Sequence, residues 1–153
     1  MGLALVAGCG DDGAAGVQTV AGAGYRFEAP GDWKIERAGR ALSVVEDGGS
    51  ATVSVTSFRL ARPYRPGLWR PVVRELDQVA DRLARALGGV VSARATVEIG
   101  GQRARRYDLS NTRDGTRRLG FVLRARREYQ LLCRGAPDPE PACEQLFATF
   151  RLT

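Results

Sequence analysis

Residues 69–109 read WRPVVRELDQVADRLARALGGVVSARATVEIGGQRARRYDL, and the fold turns on this stretch because its hydrophobic period changes partway through. From Trp69 to Leu87 the apolar positions Trp69, Val72, Val73, Leu76, Val79, Ala80, Leu83 and Leu87 fall on one helical stripe. Pro71 is tolerated in the first turn, where a backbone N–H has no partner, and Gly88-Gly89 supplies the stop. Arg74, Asp77, Asp81, Arg82 and Arg85 form the other, solvated face, with Asp81 and Arg85 spaced to pair. Beyond the glycines the period drops to two. Ala95, Val97 and Ile99 oppose Arg94, Thr96 and Glu98, and Gly100-Gly101 turns the chain into a partner strand over 102–109.

Working downstream, Arg113-Asp-Gly115 marks a second turn, followed by a strand over 117–126 with Leu119, Phe121 and Leu123 inward, then a strand over 128–134. The tail reads as a short helix from about Glu140 around Leu146 and Phe147, closing on a strand-like Phe150-Arg-Leu152. Upstream, Tyr25-Arg-Phe-Glu-Ala-Pro-Gly-Asp-Trp reads as an edge strand with Tyr25 and Phe27 on one face, after which Trp33 and Ile35 resume the core. Residues 41–46 and 51–59 are β-branched, alternating, and separated by Glu-Asp-Gly-Gly. They predict a hairpin with Leu42, Val44, Val53 and Val55 inward. The fold class is α+β: one antiparallel sheet of roughly six or seven strands, flanked by one long and one short helix so that each apolar face finds a partner.

The order hairpin, helix, meander, helix combines with a Tyr-x-Phe-x-x-Pro-x-x-Trp opening at Tyr25, Phe27, Pro30 and Trp33. A closing pattern sets Cys143, Phe147 and a shifted Phe150 at near-regular spacing. Together these resemble the Mog1/PsbP-like fold over residues 25–152, especially the small actinobacterial lipoproteins of the LpqN type. The resemblance implies a binding or assembly role, as in photosystem subunits, a nuclear transport factor and envelope lipoproteins. No functional residue carries over from it.

Composition narrows the chemistry. The 153 residues carry a formal charge of +6, Lys34 is the sole lysine, and there is no histidine. Lacking histidine, the chain lacks the commonest general base and the commonest metal ligand. It has no Gly-x-Ser-x-Gly elbow, and two cysteines cannot complete a tetrahedral zinc site. The expectation is a non-enzyme with no metal and no cofactor; Asp138 and Glu140 offer calcium only a weak site. The longest apolar run, Leu3 to Ala7, is too short to cross a bilayer.

Three cysteines stand at positions 9, 133 and 143. Leu3-Ala-Leu-Val-Ala-Gly-Cys9 resembles a bacterial lipobox, in which small residues precede a cysteine that is diacylated and becomes the mature N-terminus. A basic n-region is missing, so a start roughly 10–20 residues upstream is expected; the alternative is a frayed terminus that happens to hold a cysteine. The domain layout is then a signal remnant at 1–8, lipidated Cys9 with a flexible tether through residue 24, and a single domain from 25 to 153. Cys133 and Cys143 flank a Pro-rich loop and suit a disulfide in an oxidising, extracytoplasmic compartment. Two free buried thiols are the alternative.

Arginines crowd the meander at 103, 105, 106, 113, 117, 118, 124, 126 and 127. Alternation puts Arg118, Arg124 and Arg126 on one face of their strand, while Arg105 and Arg106 point oppositely. These five are the candidate anion-binding residues, since guanidinium forks suit phosphate and carboxylate; solubility and protection of edge strands is the competing reading. The expected function is a lipid-anchored adaptor on the extracytoplasmic face of the cell membrane, binding or assembling another envelope protein. The alternative is a module that binds an anionic lipid or cell-wall glycopolymer through those arginines. Nucleic acid is not an expected partner, since no reading motif is present.

Overall fold

The computed structural model of the protein describes residues 16–135 and 141–153. Cys9, its lipobox, Asp138 and Glu140 lie outside the described residues. The element order is β1 (Val17–Gly22), β2 (Tyr25–Pro30), β3 (Lys34–Ala38), β4 (Ala41–Val45), β5 (Thr52–Arg59), α1 (Trp69–Ala86), β6 (Val90–Ile99), β7 (Gln102–Thr112), β8 (Gly115–Arg124), β9 (Arg127–Arg134), α2 (Pro141–Thr149) and β10 (Arg151–Leu152). Seven strands form one antiparallel sheet in the order β3-β4-β5-β9-β8-β7-β6, and three form a second in the order β1-β2-β10.

The central strands of the larger sheet are buried on both faces. On one, Tyr107, Leu109, Leu119, Phe121 and Leu123 pack under the Leu76, Ala80 and Ala84 stripe of α1. On the other, Val44, Val53, Val55, Val122 and Leu131 meet Tyr25, Phe27 and Ala29 of β2 and Leu146 of α2. Strand β8 shows why a single alternation misses this: its residues 119–123 are all buried, odd positions toward α1 and even positions toward the other layer. Gly120 belongs there because a Cβ would come within 2.7 Å of the Phe147 ring of α2.

The long helix, the hairpin and its four inward residues, and the meander stand where periodicity predicts them. Gly100 and Gly101, both at positive φ, make the tight turn between β6 and β7.

Five expectations are corrected. Residues 17–22 are not tether: they form β1, paired with β2 along its length, with Val20 buried in the core. The Tyr25 strand is not an edge, because β10 closes its other side through Leu152 opposite Tyr25. One sheet becomes two, since the strands preceding and following the body pair with each other. Ile35 is 37% exposed, because β3 is the edge strand of the larger sheet and all five of its residues face solvent. Asp81 pairs across to Arg94 of β6 at 2.7 Å and not along the helix to Arg85.

Candidate functional site

The five candidate arginines do not converge as a set; only Arg124 and Arg126 come together. Arg105 stands on the β7 face under α1, where its guanidinium holds both carboxylate oxygens of Asp77, bonds the Thr96 hydroxyl, and lies over the Tyr107 ring. Tyr107 Oη donates to the same Asp77 carboxylate at 2.6 Å. Burial, then this bond to an anion, drives the Tyr107 hydroxyl pKa well above its ordinary value. Asp77, read from sequence as part of a solvated face, instead fastens α1 to the sheet.

Arg118 occupies the opposite face. Its Nε donates to Asp108, its cross-strand neighbour on β7, at 2.7 Å, and its Nη1 donates to Glu144 of α2. Burial works against the Arg118 cation, yet the bonds and charges of Asp108 and Glu144 outweigh it and hold its pKa above the ordinary value. Both arginines are thus neutralised where they stand. Arg106, half-buried on β7, has no side-chain hydrogen bond among the described residues. Arg124 ends β8, and Arg126 falls in the turn after it, so the strand read as 117–126 stops two residues short and the expected shared face is broken.

Cys133 and Cys143 form a disulfide with Cα atoms 5.5 Å apart. The bridge ties the end of β9 to the first turn of α2.

Arg124 and Arg126 instead join six other arginines at one end of the two layers. Backbone bonds from Leu60 N–H to Arg126 and from Tyr64 N–H to Ala125 hold the loop after β5 against the β8–β9 turn. The β3–β4 turn joins them through a bond from Ser57 N–H to the Arg40 carbonyl. The three segments 37–41, 57–65 and 124–127 carry Arg37, Arg40, Arg59, Arg62, Arg65, Arg124, Arg126 and Arg127, and no acidic side chain. Sequence reading missed the first five because they are far apart along the chain; only strand register brings them to one end.

Two clefts open at this end, with Arg127 lining both. One, of about 300 Å³, lies between the β1–β2 turn and β3–β4, with Arg37, Arg40 and Arg127 around Tyr25 and Leu42. The other, of similar size, is lined by Arg124, Arg126, Tyr129, Leu152 and Thr153. Tyr25 Oη donates inward to the Val55 carbonyl, and burial pushes its pKa up against an opposing pull from Arg37. Strands β1 and β2 run the length of the small sheet, so the chain enters at Gly16, beside Gly31, at the opposite end from these clefts.

No family model and no curated protein sequence matches the chain. Among solved structures, the chain is similar to the solution structure of cyanobacterial PsbP (CyanoP) from Synechocystis sp. PCC 6803. The TM-score is 0.71 at 11% identity, over 97% of this chain and 99% of that one. A crystal structure from Bacteroides thetaiotaomicron VPI-5482 is similar with a TM-score of 0.53 at 14% identity, and this chain spans 48% of its length. At such identities the likeness speaks to architecture alone. Two layers of antiparallel sheet with one long and one short helix, superposable end to end on CyanoP, give this chain a PsbP-like fold.

Proposed function

We propose that the protein is a lipid-anchored envelope protein on the extracytoplasmic face of the cell membrane, acting as a non-enzymatic adaptor that binds or helps assemble another envelope protein. A PsbP-like fold is consistent with a non-enzymatic adaptor. The observation that carries the reading is the arginine-bearing end: eight arginines on three neighbouring segments, against the single adjoining carboxylate of Glu128 opposite Phe58, leave an excess of positive charge suited to something anionic outside the chain. The disulfide supports an oxidising compartment, and Cys9 supplies the acylation site. Affinity capture from detergent-solubilised membranes, with crosslinking, should yield a stoichiometric protein partner. A Cys9→Ser variant should leave the membrane fraction. Capture that repeatedly returns nothing, or a wild-type chain that is soluble inside cells with Cys9 bare, would overturn the reading.

The second reading is a module holding an anionic lipid or cell-wall polymer. Arg106, Arg124 and Arg126 favour it, since their side chains have no hydrogen-bonded partner among the described residues. It requires salt-sensitive binding to anionic liposomes or isolated polymer.

A further inference from the structure

We infer that the cleft between the β1–β2 turn and the β3–β4 hairpin takes an acidic peptide segment of a partner protein, one in which Asp or Glu residues flank a large apolar side chain. The inference rests on the adaptor reading and names its contact.

The cleft combines two chemistries. Its floor is apolar, the buried Leu42 and Tyr25 ring, with Gly22, Ala23 and Ala41 at its sides, while its rim is cationic, formed by Arg37, Arg40 and Arg127. Each guanidinium has five N–H donors. Arg37 spends one on the Ala21 carbonyl, Arg127 spends one on the Ser57 hydroxyl, and Arg40 spends none among the described residues. The rim therefore retains paired donors suited to carboxylate.

A phosphate polymer would satisfy the rim and leave the floor wet. A peptide carrying Leu or Phe between acidic residues satisfies both, and the apolar insertion is what lets the site prefer it over any other polyanion. Position favours the same occupant over a bilayer. Five residues of β1, Val17 to Ala21, separate Gly16 from the cleft, roughly 17 Å of extended strand, so in a chain anchored through its N-terminal segment the cleft opens at the end of the small sheet farther from the anchor.

The test is a titration of isotope-labelled protein with a synthetic peptide alternating glutamate and leucine, read by amide chemical shifts and fluorescence anisotropy. Comparison probes are the same peptide with glutamine for glutamate, polyglutamate, polyphosphate, and vesicles containing phosphatidylglycerol. Shifts confined to residues 22–25, 37–42, 57 and 127 are expected, with affinity falling as salt rises. Arg37→Glu combined with Arg40→Glu should weaken binding at least 10-fold, while Arg82→Glu on the exposed face of α1 leaves it unchanged. Because the shift map uses unaltered protein, the inference remains open to refutation even if the double variant misfolds. Polyglutamate or polyphosphate binding as tightly as the peptide, vesicle binding, shifts elsewhere, or no binding to any probe would each overturn it. If a protein partner is captured from membranes while the cleft shows no peptide binding, the adaptor reading survives and this contact fails.

Discussion

Arg118 and Cys133 lie directly opposite each other on β8 and β9, and they grip consecutive residues of α2: Arg118 bonds Glu144, and Cys133 is bridged to Cys143. The short helix is therefore fastened at its first turn twice over. The bridged cysteines stand 10 positions apart, and closing a loop of that size stabilises the fold by about 3 kcal/mol through the unfolded chain. Replacing both cysteines by serine should lower urea-unfolding stability by that amount. Arg118→Gln should cost about 1 kcal/mol, because Glu144 is largely exposed while the Asp108 side is not. The triple variant should depart from the sum by more than about 0.5 kcal/mol, as contacts sharing one element do. Strict additivity would mean that the two tethers act independently.

Two aspartates one helical turn apart on α1 should behave very differently. Asp77 receives Arg105 and Tyr107, and the Arg105 side chain is only 15% exposed. Asp77→Asn leaves that guanidinium without its anion and should cost about 2 kcal/mol, less than the 3–5 kcal/mol of a fully buried pair because Asp77 itself touches water. Asp81 pairs with Arg94, both more than a third exposed, so Asp81→Asn should cost under about 0.5 kcal/mol. Paired denaturation curves check the contrast; equal losses would mean that the Asp77 network is ordinary surface electrostatics.

Base titration should find Tyr107 and Tyr25 resistant to ionisation. Tyr107 and Tyr25 have pKa values raised above 10.0, in both cases chiefly by burial. A raised folded pKa means that the native state keeps a proton which the unfolded chain has lost, so this stabilisation is complete below pH 10 and fades as pH climbs through the folded values. Tyrosinate absorbance of native protein just above pH 10 should show these two still neutral, and stability should fall with rising pH there. Ionisation of Tyr107 and Tyr25 at the ordinary pH would contradict their buried environments.

Local patterns carried much of this fold. The helix of 69–86 was readable because its apolar stripe packs on one partner layer, and the hairpin of β4 and β5 because one face is dry. The second sheet was hidden: its central strand pairs with a Gly/Ala-rich segment in which only Val20 is buried, and with a terminal pair of residues too short to show alternation. Arginine clustering along the sequence was equally misleading about the site. Arg105 and Arg118 sit in the densest run yet are consumed by Asp77, Asp108 and Glu144, partners on other elements. Arg37, Arg40 and Arg59, thinly spread along the chain, meet at one end because antiparallel pairing folds their turns together.

The claim that the arginine-bearing end is where a partner docks is most directly tested in living cells by a photo-crosslinking side chain placed at Ala38, beside that end, and in a second strain at Asp32, at the opposite end. A single stoichiometric protein adduct is expected from position 38, lost when Arg40→Glu is added, and none from position 32. An adduct from position 32 alone, or one from position 38 that survives reversal of Arg40, would contradict it.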